Sequence, residues 1–585
     1  MPYRPPLTDI RFCLDHVVGA SRLAETDLFA EATPDTTDAI LTEVAKLSEE
    51  TLAPLQVPGD AGCRLVDGRV VTPEGYKAGY AAIAEGGWLG LNAEEAHGGM
   101  GLPLTLQTAM NEMFSSACLS LSLCPLLSQG SIEALSAHAS PELQERYLSK
   151  LISGEWTGTM NLTEGQAGSD VGALKTKATP AGDGSYRVEG QKIYISWGDH
   201  DLTENIVHLV LARLPDAPAG SRGISLFLVP KFLPDGTENA VKTVSIEHKM
   251  GLHGSPTCVL AYEGSTGWLV GEENKGLACM FTMMNNARLG VGVEGLGAAE
   301  AATQHALAYA LDRVQGKASG PQGHAGTGSI MDHPDVRRML MEMKAYTEAT
   351  RALCYDCALS LDMAKAAPEG ERAMWAARGA FLTPLAKSFG TDAGMHVAEL
   401  GVQVHGGMGF IEETGAAQFY RDVRVTAIYE GTNGIHAADL VGRKLSMDGG
   451  ATARAVLDAA GEEVAAAQEA GLDGIATGLA MAHEAAARAT VWMLEQNDMS
   501  ERLAGSSPYL TLMSHLHGGA LLSRGARAAK AAGLAEGEDT PFETARIAVA
   551  EFHAGQIAPM AEGLAHAAMA GSAPLYALTA EQFAL

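Results

Sequence analysis

Residues 160–172 read MNLTEGQAGSDVG, and the hydrophobic pattern of the chain changes around this stretch. Upstream, from about Asp38 to Leu151, apolar residues recur at helical spacing, whereas the downstream runs are short and rich in β-branched and aromatic residues. The stretch itself predicts a polar loop. Its successive backbone N–H groups and small hydroxyls suit a planar, heteroatom-edged cofactor or a phosphate. An ordinary surface loop is the alternative interpretation.

The last helix before this loop has a recognisable start. Ser140 is a good N-cap, Pro141 suits the first helical position, and Glu142 favours the positive end of the helix dipole. The apolar residues that follow recur on one helix face, at Leu143, Tyr147, Leu148, Leu151 and Ile152.

After the loop, the runs 186–190, 192–196, 206–211 and 223–229 predict strands of an antiparallel β domain that ends near Gly271. Helical spacing returns after Gly276 and is interrupted by a Gly-rich insertion at 316–329 and by a break at 447–450. The predicted fold class is therefore α+β. The predicted divisions are an N-terminal extension (1–40), an N-terminal helical domain (41–155), the β domain (156–271), a second helical domain (272–446) and an additional C-terminal helical module (451–585).

Bulk properties exclude several function classes. The chain has 585 residues, more than one hydrophobic core accommodates. A formal net charge of −29 argues against binding to nucleic acid or to an anionic membrane surface. We see no apolar run of membrane-spanning length and no signal peptide, so a cytoplasmic location is expected. Cys354 and Cys357 lack a second pair at zinc spacing; they are expected to be buried thiols, and no metal site is predicted.

Three further motifs are ambiguous alone. Gly290-Val-Gly-Val-Glu-Gly295 matches a dinucleotide fingerprint, but it follows a helical pattern, which favours close helix packing over nicotinamide binding. His405-Gly-Gly-Met-Gly-Phe410 is either a phosphate approach site or a helix stop. Ile428-Tyr-Glu-Gly-Thr-Asn-Gly434 places one carboxylate, that of Glu430, among apolar and small residues, where partial desolvation would make it a stronger base. A capping or solvated glutamate is the alternative.

Taken together, 160–172, 190–198 (GQKIYISWG), 403–410 (QVHGGMGF) and 428–434 (IYEGTNG) resemble the signatures of the acyl-CoA dehydrogenase family in order and spacing. The resemblance extends from about Leu41 to Leu445. It implies a helical N-terminal domain, a central β domain and a C-terminal four-helix bundle, with FAD at their junction and across a subunit interface. It also implies oxidation of an acyl-CoA thioester to the enoyl-CoA.

The resemblance also implies residue roles. Glu430 stands at the position of the catalytic base. Arg313 matches a residue that contacts the FAD of the neighbouring subunit, and Ser169, Asn285 and Arg288 match positions that face or line the acyl-CoA site. The positions matching FAD contacts are Leu162, Thr163, Gly168, Ser169, Tyr194, Ser196, Arg313, Gln403, Gly406, Gly407 and Thr432.

The family pattern further implies an electron-transferring flavoprotein as acceptor and a homodimer, with a tetramer as the alternative. Two departures concern the adenosine end of FAD: Pro334 and Gly434 stand where many members have Gln. An acyl-CoA oxidase would share the fold and the base but reduce O₂. A non-catalytic helical scaffold is the alternative from a different class.

Overall fold

The computed structural model describes residues 3–317, 326–536 and 540–585. The chain forms two compact units. One contains Thr42–Gly290, and the other contains Pro6–Leu41 together with Val291–Leu585. The N-terminal extension therefore belongs to the same unit as the C-terminal half of the chain.

The main helices are α1 Leu7–Phe12, α2 Pro34–Leu47, α3 Gln56–Gly59, α4 Tyr76–Glu85, α5 Leu104–Ala117, α6 Leu119–His138, α7 Pro141–Ile152, α8 Gly276–Asp312, α9 Pro334–Ala366, α10 Glu369–His405, α11 Ala416–Val423, α12 Asn433–Asp439, α13 Ala451–Glu469, α14 Asp473–Glu495, α15 Met499–Ala504, α16 Ser506–Glu536, α17 Pro541–Phe552 and α18 Met560–Ala568. The strands are β1 Arg64–Val66, β2 Arg69–Val71, β3 Trp156–Asn161, β4 Lys177–Pro180, β5 Tyr186–Ser196, β6 Asn205–Ala212, β7 Ser225–Pro230, β8 Val241–Ile246 and β9 Thr257–Val270.

Helix α7 forms as its sequence predicts. The Ser140 hydroxyl accepts a hydrogen bond from the backbone N–H of Leu143, and Pro141 opens the helix. All five residues of the predicted apolar face are buried. This face packs in the hydrophobic cluster that also contains inward-facing residues of β6 and β7.

A seven-stranded sheet forms the centre of the Thr42–Gly290 unit, in the order β3-β6-β7-β9-β5-β4, with β8 also paired to β9. Its pairs are antiparallel, as predicted, except that β3 and β6 run parallel. The two predicted runs at 186–196 form the single strand β5, whose register shifts between Lys192 and Ile195. Strand β6 is buried along its whole length, because Leu209 and Val210 project into clusters on opposite faces of the sheet.

The other unit is built of long helices, with α9 against α10 and with α16 contacting both of them as well as α13, α14, α17 and α18. The glycines of the dinucleotide-like motif lie inside α8. A Cβ on Gly292 or Gly295 would approach backbone atoms of α10 to within 2.6 or 2.2 Å, respectively. These glycines therefore allow close helix packing. A nicotinamide site would need them between a strand and a helix, whereas they lie inside α8.

The N-terminal extension is anchored rather than separate. The π-helical turn Cys13–Val18 contacts α9 and α16. The Arg546 side chain pairs with Asp9 at 2.6 Å and with Glu348 at 2.8 Å. Phe12 packs edge-on against Phe542. The extension and the C-terminal module thus share one hydrophobic and ionic framework with α9.

Within 3–317, 326–536 and 540–585, no helix combines the length and the apolar character needed to cross a bilayer. The eight cysteines are free thiols. Cys354 and Cys357 are fully buried, as predicted, and burial raises the pKa of Cys357 to about 12.

Candidate active site

The loop that follows β3 is held by a buried ion pair. The Lys192 ammonium on β5 donates to the Glu164 carboxylate at 2.8 Å and to the carbonyl of Leu162 at 2.9 Å. The Glu164 carboxylate also accepts from the hydroxyl of Thr176 at 2.6 Å. Burial opposes ionisation of Glu164, but Lys192 and these hydrogen bonds together lower its pKa to about 2. Neither residue of this pair was predicted from the sequence, although a lysine within the strand pattern at 192–196 was a signal.

Two hydroxyl side chains lie on this loop and at the end of β5. The backbone N–H of Ile193 donates to the carbonyl of Thr163 at 2.9 Å, which fixes the loop against β5. The side-chain hydroxyls of Thr163 and Ser196 are partly exposed and make no hydrogen bond to a described residue. Tyr194 adopts a φ of 59° and is 62% exposed.

Gly168 and Ser169 lie on the exposed part of this loop. No described atom lies within 4 Å of a Cβ built on Gly168, so a ligand can approach the backbone there. Hydroxyls can bond the heteroatoms at the edge of a planar ring system, an exposed aromatic ring can pack against its face, and an open glycine lets it approach the backbone. These residues of the β-sheet unit therefore fit a flavin.

Glu430 lies in the other unit, in the turn between the 3₁₀ segment Arg424–Ala427 and α12. It is partly buried and has a φ of 54°, a left-handed conformation that a non-glycine residue adopts only when its surroundings impose it. Its carbonyl is hydrogen-bonded at 3.1 Å to the ring Nε2 of His436. Thr432 is the N-cap of α12, and its hydroxyl accepts from the backbone N–H of Ile435.

A buried lysine holds this turn on its other side. The Lys387 ammonium on α10 donates to the carbonyl of Gly431 at 3.0 Å and to the side-chain oxygen of Asn433 at 2.8 Å. The Asn433 amide donates in turn to the carboxylate of Asp392 at 2.7 Å. The turn carrying Glu430 is therefore tied to α10. Neither Lys387 nor Asn433 was identified from the sequence, although a lysine within the apolar run 381–389 was a signal.

A second carboxylate approaches the same turn. Glu294, on α8, is 2% exposed and accepts a short hydrogen bond from the hydroxyl of Tyr429. Burial and the nearby charge of Glu430 raise the pKa of Glu294 to about 8, against the opposing effects of Tyr429 and Lys387. Glu294 was not predicted from the sequence, where the glycines around it form the recognisable motif.

The ends of α8 and α10, which carry several predicted cofactor contacts, lie side by side. The His405 ring stacks on the ring of Tyr309, with centroids 4.3 Å apart, and on that of His305 at 4.8 Å. Helix α10 ends at His405, and Gly406 has a φ of 60°, so the Gly-rich motif does stop a helix. Gly406 and Gly407 have no described atom within 4 Å of a built Cβ, and Gln403 is exposed.

The remaining predicted positions lie on helices or directly beside helix ends. Arg313 directly follows α8 and is exposed. The Arg288 guanidinium donates to the side-chain oxygen of Asn285 at 3.3 Å, on the first half of α8. Pro334 begins α9, and Gly434 lies in the first turn of α12. Residues 318–325 of the predicted insertion at 316–329 lie outside the described residues.

Comparisons with known proteins agree with this architecture. The chain matches four family descriptions: acyl-CoA dehydrogenase N-terminal domain at 34–155, middle domain at 159–265, C-terminal domain at 274–445, and acetyl-CoA dehydrogenase C-terminal like at 452–579. The predicted family and fold class are confirmed.

Two relatives span nearly the whole chain. The 3-methylmercaptopropionyl-CoA dehydrogenase of Ruegeria pomeroyi is 47% identical over 95% of this chain and 96% of its own. The broad-specificity linear acyl-CoA dehydrogenase of Mycobacterium tuberculosis is 34% identical over 95% and 96%. Among solved structures, an acyl-CoA dehydrogenase from Bacillus anthracis complexed with FAD aligns with a TM-score of 0.71 at 23% identity, over 95% of this chain and 91% of that one.

Proposed function

The chain belongs to the acyl-CoA dehydrogenase family of flavin-dependent oxidoreductases, and on that premise we propose that Glu430 removes the α-proton of an acyl-CoA thioester. The supporting observation is the left-handed turn at Glu430, which is held by His436 on one side and by Lys387 on the other. A turn so constrained fixes the direction of the carboxylate, and orientation is a large part of general-base catalysis.

Two bonds to hydrogen break in the proposed reaction. The α-proton goes to the carboxylate of Glu430, and the β-carbon loses a hydride, which leaves an enoyl thioester. When bound, FAD supplies the two-electron acceptor for this hydride. The backbone N–H of Glu430 donates to the thioester oxygen as negative charge develops there, which increases the acidity of the α-carbon.

We assign cofactor binding to two groups of residues. In the β-sheet unit, the hydroxyls of Thr163 and Ser196 would help to hold the flavin ring, together with Leu162, Gly168, Ser169 and Tyr194. In the helical unit, Thr432 would hold the pyrophosphate, and Arg313, Gln403, Gly406 and Gly407 would hold the FAD of a neighbouring subunit. Their exposure and open glycines support this assignment.

A homodimer follows from that arrangement. Large apolar side chains are exposed directly beside the two open glycines: Met408 is 45% exposed, Phe410 is 87% exposed and Ile411 is 44% exposed. Exposed apolar side chains of this size are typical of surfaces that another chain covers. An electron-transferring flavoprotein is the proposed acceptor of electrons from the reduced enzyme.

For the substrate we propose 3-methylmercaptopropionyl-CoA, an intermediate of dimethylsulfoniopropionate catabolism. The support is the 47% identity to the Ruegeria pomeroyi enzyme over nearly all of both chains. The second candidate is a fatty acyl-CoA of β-oxidation, which the Mycobacterium tuberculosis relative favours. Met283 does not argue for a thioether substrate, because it is fully buried in the core cluster beside Gly130.

A panel of acyl-CoA substrates with an artificial electron acceptor tests this assignment. We expect kcat/KM to be highest for 3-methylmercaptopropionyl-CoA, with Asn285 and Arg288 contributing to acyl-CoA binding. A higher value for butyryl- or hexanoyl-CoA would assign the enzyme to β-oxidation instead. Stoichiometric peroxide during aerobic turnover would indicate an oxidase, and a colourless chain that takes up no FAD would indicate a scaffold.

A further inference from the structure

A cavity of about 410 Å³ lies within the helical unit, and its lining does not include the turn that carries Glu430. Its lining comes from three parts of the chain: the N-terminal extension, the paired helices α9 and α10, and α16 of the C-terminal module. The charged groups of the lining are Arg22, Asp356, Arg378 and Arg524, with His16 beside them. The chain has a net charge of −29, whereas this cavity is locally positive, with three guanidinium groups and one carboxylate.

The single carboxylate is already engaged. Asp356 is 3% exposed and accepts two hydrogen bonds from the Arg378 guanidinium, at 3.0 and 2.7 Å. The ring of His517 lies 2.7 Å from the same carboxylate. This bidentate pair orients Arg378 and neutralises its charge, so that Asp356 has little capacity left for the other two arginines.

Arg22 and Arg524 have no acidic partner among the described residues. The Arg524 guanidinium donates to the carbonyl of Val17 at 3.0 Å, and that of Arg22 donates to the carbonyl of Gly19 at 3.0 Å. Each guanidinium carries five N–H donors in a planar fork that matches phosphate or carboxylate oxygens. Most of these donors remain available in both residues.

Trp375 adds a further unsatisfied donor. It lines the same cavity, and its indole N–H is buried without a hydrogen-bond partner. An unpaired buried donor destabilises a folded chain, so this indole N–H calls for an acceptor that the protein itself does not supply. The Trp375 ring also gives the cavity an apolar wall, together with Val17 and Leu359.

We propose that this cavity binds a small organic anion that bears a phosphate group. The lining is rich in donors and poor in acceptors, which selects for oxyanions. Its volume falls within the ~300–1,000 Å³ typical of small-molecule sites and exceeds that needed for a single inorganic ion. Because the extension, α9, α10 and α16 all contribute to it, occupancy stabilises the docking of the extension and of the C-terminal module on the four-helix domain.

Calorimetric titration of the FAD-loaded enzyme with inorganic pyrophosphate, at constant ionic strength, tests the proposal. We expect saturable binding at one site per chain, weakened about 10-fold or more in the double variant R22Q/R524Q because two charge-assisted contacts are lost. R454Q is the matched control: Arg454 also bonds only a backbone carbonyl, that of Gly449, and does not line the cavity. Its affinity for pyrophosphate should equal that of the wild type.

Trp375→Phe keeps an aromatic side chain and removes the N–H donor, so it supplies a second test if R22Q/R524Q does not fold. We expect the affinity for pyrophosphate to fall about 3- to 10-fold. Absence of saturable binding to the wild-type chain, or equal affinity in the wild type and R22Q/R524Q, would overturn the proposal. A parallel titration with citrate separates phosphate from carboxylate recognition. Tighter binding of citrate than of pyrophosphate would overturn the phosphate assignment.

Discussion

The hydroxyl of Tyr429 donates a hydrogen bond to the carboxylate of Glu294, and Tyr429 is the residue directly before Glu430. The turn that carries the proposed base is thereby connected to a second, buried carboxyl group on α8. Burial and the charge of Glu430 raise the pKa of Glu294 to about 8. At pH 7 Glu294 is therefore mainly protonated, and it adds no negative charge beside the proposed base.

Glu294→Gln is predicted to change the pH profile of catalysis. In the wild-type enzyme, ionisation of Glu294 above about pH 8 places a negative charge near the developing enolate and lowers kcat/KM. Glutamine retains an acceptor for the Tyr429 hydroxyl but does not ionise, so this alkaline decrease should disappear. The measurement is kcat/KM from pH 6 to 10; an unchanged alkaline limb in the variant would exclude this role for Glu294.

The same substitution should change the pH dependence of stability. The Glu294 carboxyl has its ordinary pKa of 4.5 in the unfolded chain, whereas burial raises its pKa to about 8 in the folded one. Its contribution to stability is fully present below pH 4.5 and is lost as the pH rises towards 8, at roughly 1.4 kcal/mol per pH unit. The difference in thermal midpoint between Glu294→Gln and the wild type should therefore become more favourable to the variant between pH 5 and 8.

Lys192→Met is predicted to loosen the loop that presents Thr163. It leaves the buried carboxylate of Glu164 without its cation, and removal of one partner of a buried pair destabilises by about 3–5 kcal/mol. We expect a lower thermal midpoint and a lower FAD content. Since the pKa of Glu164 is lowered to about 2, the pair stabilises fully above pH 4.5 and loses this effect as the pH falls towards 2.

The control for this variant is the double substitution Lys192→Met/Glu164→Gln. Without a buried charge, it should be more stable than Lys192→Met alone. Equal stability of the single and double variants would mean that the ion pair does not hold the loop.

Sequence alone identified the parts of this protein that depend on local pattern. The capped helix α7 and the helix stop at Gly406 follow from side-chain type and spacing. A specific motif points to Glu430, whose role as the base stays a prediction. The contacts that orient the site could not be derived in that way. Lys192 and Glu164 are 28 residues apart and Lys387 and Gly431 are 44 apart, so that their pairing depends on strand register and helix packing. In the sequence, Glu294 looks like an ordinary helix residue among packing glycines. Only its hydrogen bond with Tyr429 connects it to the proposed base.

Lys387→Met should reduce turnover more than cofactor binding. The substitution removes the two hydrogen bonds that tie Gly431 and Asn433 to α10, so the carboxylate of Glu430 loses its fixed direction. Misplacement of a base by about 1 Å can lower the rate ~100-fold. We expect kcat to fall by about that factor while the bound FAD stays near the wild-type content. A variant that loses FAD but retains normal kcat per bound flavin would contradict this role.

Gly407→Val is predicted to prevent the binding of FAD without affecting folding. No described atom lies within 4 Å of a Cβ at Gly407, so the added side chain meets no protein atom there and would instead occupy space assigned to the cofactor. Gly370, at the other end of α10, is equally open and provides the matched control. We expect Gly407→Val to purify with little flavin absorbance and Gly370→Val to keep the wild-type content. Equal flavin content in both variants would remove Gly407 from the cofactor site.

The most direct test of the whole account is an anaerobic titration of FAD-loaded Glu430→Gln with acyl-CoA, followed by visible absorbance. Glutamine keeps the size of the side chain but cannot accept the α-proton. The account predicts normal flavin content and no bleaching on the time scale at which the wild-type flavin is reduced. Full bleaching of the variant at the wild-type rate would show that another group removes the proton.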